Sequence, residues 1–138
     1  MHRTAIIIEK TLTPGEAAIV AAIVMGQAVF QNNKIYEKSG VVDKDGNRHA
    51  GIRYSTVVLK GGSHIQLANY VKQLNIDYGS SISTVLFSRF GQKLQNNFLK
   101  YKEVVTNSQL EALEAVGVLV TGGDEAVRKA TKKFSIYS

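Results

Sequence analysis

The 138 residues fit one ordinary domain, and with hydrophobic residues at 44% and charged residues at 20% they exclude a disordered chain. There is no cysteine, which removes disulfides, thiol catalysis and thiolate metal sites together. Seventeen Lys and Arg against eleven Asp and Glu leave a net charge of +6, spread over both halves of the chain, so no basic tail exists and anionic partners are favoured.

The elements read as follows in chain order. Thr4 to Glu9 is a continuous apolar, β-branched run, the pattern of a strand buried on both faces. The start of the chain turns acidic at Glu9, too soon for a signal peptide. Thr13-Pro14-Gly15-Glu16 announces a helix: Thr13 caps, Pro14 suits the first helical position and Glu16 completes a capping box. This helix should run to about Gln31, with small residues crowded on its buried face. Its uninterrupted apolar run, Ala17 to Met25, is shorter than the roughly 18 residues that cross a bilayer. A cytoplasmic protein without membrane contact is therefore expected.

Residues 34–51 are polar, and Asp43-Lys44-Asp45-Gly46-Asn47 signals a hairpin or tight turn. Tyr54 to Lys60 is the next strand, and Ser63 caps a helix from His64 to about Leu74. Ile76-Asp77-Tyr78 suggests a short strand, whereas Ser80 to Phe90 fits either helix or strand. Leu94, Phe98 and Tyr101 predict a helix over 91–102. Glu114 to Thr121 is a buried strand, Gly122-Gly123-Asp124 turns into a helix from Glu125 to about Lys132, and Phe134 to Ile136 closes the chain as an edge strand. The expected fold is α/β, a single unit over 1–138 with a mixed sheet of about four to five strands flanked by helices.

Three groups of residues invite chemistry. Both strand-to-helix junctions, near Lys10 and Gly15 and at Gly122 and Gly123, expose helix amino termini that attract phosphate or carboxylate, although Glu16 and Asp124 serve as caps without any ligand. They are read together as one anion-binding edge. Asp43 and His49 form a carboxylate–imidazole pair suited to proton transfer, or simply fill a turn. Arg128, Lys129, Lys132 and Lys133 concentrate positive charge as a nucleic-acid-binding helix would, or as a solvated helix face would. No spacing matches a zinc site, a Walker loop, a dinucleotide fingerprint or a Gly-x-Ser-x-Gly elbow, so neither a metal nor a cofactor is expected.

The motifs Ala5-Ile6-Ile7-Ile8, Leu12-Thr13-Pro14-Gly15-Glu16-Ala17-Ala18 and Val42-Asp43-Lys44-Asp45-Gly46 with His49 and Gly51 resemble an uncharacterised bacterial domain-of-unknown-function family grouped with the peptidyl-tRNA hydrolase II fold. The ending Gly117-Val118-Leu119-Val120-Thr121-Gly122, then Ala126 to Thr131, is similar to the strand–glycine–helix ending of those hydrolases. The resemblance implies the framework but not the activity. The hydrolase lysines fall on Glu16 and Ala18, its threonine on Gly117, and its aspartate near Val105. The expectation is a protein that binds an anionic small molecule or RNA in a hydrolase-like cleft. The alternatives are a divergent hydrolase using Asp43 and His49, acting on peptidyl- or aminoacyl-tRNA or a related ester, and a homodimer formed through the strand near Phe134.

Overall fold

The computed structural model describes residues 1–94 and 96–138. Its first strand, β1 (His2–Ile8), is the centre of a five-stranded sheet. The helix α1 (Pro14–Gln31) follows, started by the expected capping box: Thr13 Oγ1 accepts from the Glu16 N–H at 3.2 Å, and the Glu16 carboxylate accepts from the Thr13 N–H at 3.0 Å. Those bonds hold the Glu16 carboxyl below its ordinary pKa. Two short strands, β2 (Val41–Val42) and β3 (Arg48–His49), make the hairpin around Gly46, whose φ of +87° requires glycine.

Next come β4 (Ser55–Lys60) and α2 (His64–Tyr78), the latter begun by a second capping box between Ser63 and Gln66. The strand expected at Ile76–Tyr78 is instead the last turn of α2, because the helix continues until Gly79 takes a φ of +54° and stops it. The ambiguous stretch is a strand, β5 (Ile82–Ser88). The helix predicted over 91–102 is two helices, α3 (Arg89–Lys93) and α4 (Phe98–Thr106). Asn97 interrupts it by accepting from the Lys100 N–H and capping α4, and residue 95 of the predicted helix lies outside the described residues. The chain ends with α5 (Leu110–Leu113), β6 (Ala115–Gly123), α6 (Asp124–Ala130) and β7 (Ser135–Ile136).

The sheet order is β5-β6-β1-β4-β7. β1 pairs in parallel with β4 and antiparallel with β6, while β5 and β7 pair antiparallel at the two edges. Alternation along β1 sends Ala5 and Ile7 towards α2 and α6, and Ile6 and Ile8 towards α1. Among the described residues, α1 alone is long and apolar enough to span a bilayer by length and composition, but it packs as a core helix, burying Ala17, Val20, Val24 and Ala28 on the sheet.

Gly117 sets how closely α1 approaches. A Cβ on this residue of β6 would run into Val20 Cγ1, so any side chain there must push the helix away. A threonine at Gly117 would meet the same clash. Gly117→Ala should lower stability by about 1–3 kcal/mol in urea denaturation. Adding Val20→Ala to that variant should cost less than Val20→Ala costs the native chain, since the clash and the cavity offset each other.

Candidate functional site

β1 and β4 run parallel side by side, and the helices that follow them leave to opposite faces of the sheet. Their carboxyl ends therefore form a switch point of the kind where α/β sheets collect ligands. Lys10 and Gly15 are exposed at this end. The group that dominates it, however, was not singled out by the sequence. Glu9 is buried at 3% exposure, and its carboxylate accepts from the Thr11 N–H at 3.1 Å, the Thr11 hydroxyl and the Arg89 guanidinium at 3.2 Å. Arg89 also donates to Thr11 Oγ1 at 3.3 Å, and its backbone N–H donates to the Glu114 carbonyl at 3.0 Å. Glu114 holds a left-handed φ of +57° and places its carboxylate 3.6 Å from His64 Nε2.

Gly122 and Gly123 do not share this end. Because β6 is antiparallel to β1, they pair with Arg3 and His2 at the opposite end of the sheet. The single anion-binding edge expected from Lys10, Gly15, Gly122 and Gly123 is thus two separate ends, and the error lies in strand direction. At the Gly122 end, Ser83, Thr121, Thr4 and Thr56 stand in register across β5, β6, β1 and β4. Thr121 Oγ1 lies 2.8 Å from His2 Nε2 and 3.0 Å from Thr4 Oγ1, and Tyr54 packs its ring on His2. Burial lowers the His2 imidazole pKa below its ordinary value.

Asp43 and His49 do pair, at 2.8 Å, but on the exposed hairpin. The remaining Asp43 bonds come from the backbone N–H groups of Asp45 and Asn47, the pattern of a self-bonded turn. The hydrogen bond to His49, reinforced by those N–H groups, brings the Asp43 pKa down to about 2. Every hydrogen bond given to the pair lies within the hairpin, so it does not join either sheet end. Among the described residues, no cluster of three His, Asp or Glu could hold a metal.

An extended concave feature lies on the α2–α6 face. Three depressions of about 690, 570 and 650 Å³ adjoin one another, the first two sharing Tyr70, Gln73 and Lys133, the last two sharing Tyr78 and Lys129. They run from Gly61 and Gly62 after β4 to Gly123 at the end of β6. Lys60, Lys129, Lys132 and Lys133 line this groove together with the carboxylates of Asp77, Asp124 and Glu125, and none of the four lysines has a carboxylate within 4 Å among the described residues. Gln66, Asn69 and Gln73 bring amides from α2. Tyr70 forms the floor, donating its hydroxyl to the Ala130 carbonyl at 2.7 Å, and burial raises its pKa. Lys133 Nζ lies 4.9 Å from the Tyr70 ring centre and 5.4 Å from that of Phe134. Arg128, grouped with these lysines by sequence, turns away to bond Asp124 at 2.9 Å and lines none of the three depressions.

A protein-family comparison matches residues 2–138 to "Protein of unknown function (DUF2000)". The chain belongs to this family. A comparison with curated proteins finds no match. The fold is shared with a solved structure, a protein of unknown function from Agrobacterium tumefaciens strain C58, at 19% identity and a TM-score of 0.79 over 99% of this chain and 98% of that one. That likeness shows the α/β architecture. The hydrolase II resemblance of this DUF2000 chain rests on the sequence motifs alone.

Two outcomes follow from the polar clusters. Arg89→Ala leaves the Glu9 carboxylate buried without its cation and should destabilise the protein by about 2 kcal/mol or more in urea, with Glu9→Gln in the same chain recovering part of the loss. In an NMR pH titration, the Asp43 carboxyl should have its midpoint at about 2, and His49→Ala should raise it. Since the folded pKa is depressed, the pair's contribution is complete above the ordinary Asp pKa and disappears as the pH falls through about 2.

Proposed function

We propose that the protein binds single-stranded RNA along the groove between α2 and α6. One observation carries this reading: four lysines with no carboxylate within 4 Å among the described residues line depressions arranged in series, with Asp77, Asp124 and Glu125 also in the lining. The fifteen residues of α2 span about 22 Å at about 1.5 Å per residue, the length of several nucleotides rather than of one small anion. Lysines arranged this way follow a phosphate backbone, and the Asn69 amide suits a base or ribose edge, while Gln66 bonds Ser63 and Gln73 bonds Asp77. The net charge of +6 favours the encounter.

The peptidyl-tRNA hydrolase II-like framework is compatible with an RNA partner, but it brings no activity with it, since Glu16, Ala18 and Gly117 occupy the positions of the family's functional residues. The alternative of a divergent hydrolase depends on Asp43 and His49. Their hydrogen bonds close on one another within an exposed hairpin rather than reaching either end of the sheet.

Fluorescence anisotropy with a short single-stranded RNA tests the proposal. Four lysine–phosphate contacts predict that log K falls with log[salt] with a slope of about −3, from about 0.7 per contact. Lys129→Glu with Lys133→Glu should weaken binding at least about tenfold and bring the slope to about half that value. Equal affinity for the native and doubly substituted proteins rejects the groove, and saturation by a mononucleotide in place of the oligomer rejects the extended ligand.

A further inference from the structure

On the side that faces away from the sheet, α1 carries no charge after Glu16 and exposes apolar residues, with Gln27 and Gln31 as its polar groups. Residues 17–33 contain no Asp, Glu, Lys or Arg. Ile19 is 52% exposed and Phe30 89% exposed, and Ala18, Ala22 and Gly26 recur at every fourth position on the exposed side. A Cβ at Gly26 would meet nothing within 4 Å. A helix that is hydrophobic all round is normally covered on all sides.

The same side of the molecule has a second unsatisfied feature. α1 lies over β6 and β5, the half of the sheet that ends at a free edge. That edge strand, β5, belongs to another charge-free stretch, residues 78–88. Edge strands are ordinarily protected by charge, proline or a cover, and Ser83 to Val85 carry neither charge nor proline. The β5 bulge falls later, between Phe87 and Ser88, beside the cover that Tyr101 of α4 gives to Phe87.

We infer that this face is completed by a second copy of the chain, α1 against α1 across a two-fold axis with the Ile82–Val85 edges alongside. Charge selects the face that two copies would share. Two copies of a +6 protein repel one another, so they associate best where both surfaces are free of charge, and α1 and β5 bring two such stretches together. The face is also self-complementary: the small stripe Ala18, Ala22, Gly26 offers a groove, and the neighbouring Ile19 and Ile23 offer a ridge, as an isologous contact requires. The area suffices. A face about 27 Å long, from about 1.5 Å per helical residue, and about 20 Å deep across the helix and sheet layers presents roughly 540 Å² per copy. Two copies then bury about 1,000 Å², the lower bound for a specific interface. The homodimer expected through the strand near Phe134 is thereby relocated to the opposite edge of the sheet.

Analytical ultracentrifugation from 1 to 100 μM (an ordinary working range of about two decades) should give the mass of two chains. Ala22→Glu, at an exposed helix position, should return the mass of one chain with an unchanged circular dichroism spectrum. Because the chain has no cysteine, Ala22→Cys provides a direct readout: near the middle of α1 it meets its own copy at the two-fold, and mild oxidation should give a covalent dimer, whereas Lys72→Cys on α2 should not. A single-chain mass at every concentration overturns the inference. So does a dimer that survives Ala22→Glu, or an α1 face that carries the monomer onto lipid vesicles instead.

Discussion

β1 is hydrogen-bonded on both sides, in parallel to β4 and antiparallel to β6, and this mixed pairing decides where every other group lies. The parallel partner brings the starts of α1 and α2 to one end of the sheet. The antiparallel partner carries Gly122 and Gly123 to the other. No residue of β1 is charged between Thr4 and Ile8, and all are buried, so the strand tolerates no slip in register. A shift by one residue would exchange the Ala5–Ile7 set facing α2 with the Ile6–Ile8 set facing α1.

The end of that strand is where burial turns costly. Glu9 follows Ile8 directly and is as buried as the core, so its charge must be answered locally. Thr11 supplies two donors from the same turn, and Arg89 supplies the cation from the start of α3. A buried ion pair of this kind adds little net stability over an apolar replacement, because desolvation consumes most of the attraction. It does impose geometry, since β5 must end where Arg89 can reach β1. The Arg89 N–H bond to Glu114 then holds the turn into β6, where Glu114 occupies its left-handed conformation. The ion pair thus organises the junction of β1, β5 and β6 even though its net energy is small.

Local chemistry in the sequence announced much of the fold. Thr13-Pro14-Gly15-Glu16 started α1 where capping rules place it, and Ser63 started α2 for the same reason. Asp43 and Gly46 made the turn, and the β-branched runs became β1, β4 and β6. Relations between distant residues were not legible. Nothing in Val118-Leu119-Val120 states that β6 runs against β1, so the two glycine junctions were assigned to one edge. The break between α3 and α4 depended on Asn97 bonding a backbone N–H, a choice that apolar spacing does not encode. The groove shows the same limit. Lys129, Lys132 and Lys133 stood out as a cluster, but Lys60 and the amides of α2 join them only through the sheet. Arg128 belonged to the cluster in sequence and leaves it in space, drawn off by Asp124 one turn earlier.

The α2–α6 side carries the four groove lysines along with Asp77, Asp124 and Glu125, and the α1 side carries a helix without a single charged residue after Glu16. Between them lies the buried sheet, whose two faces pack separate cores. A polyanion on one side and a second copy on the other would therefore not compete for space. They would also be linked in sense: pairing the neutral faces turns both lysine grooves outward, doubling the positive surface without bringing the two grooves into repulsion across the contact. For a chain of this net charge, an uncharged contact face is one that two copies could share without added repulsion.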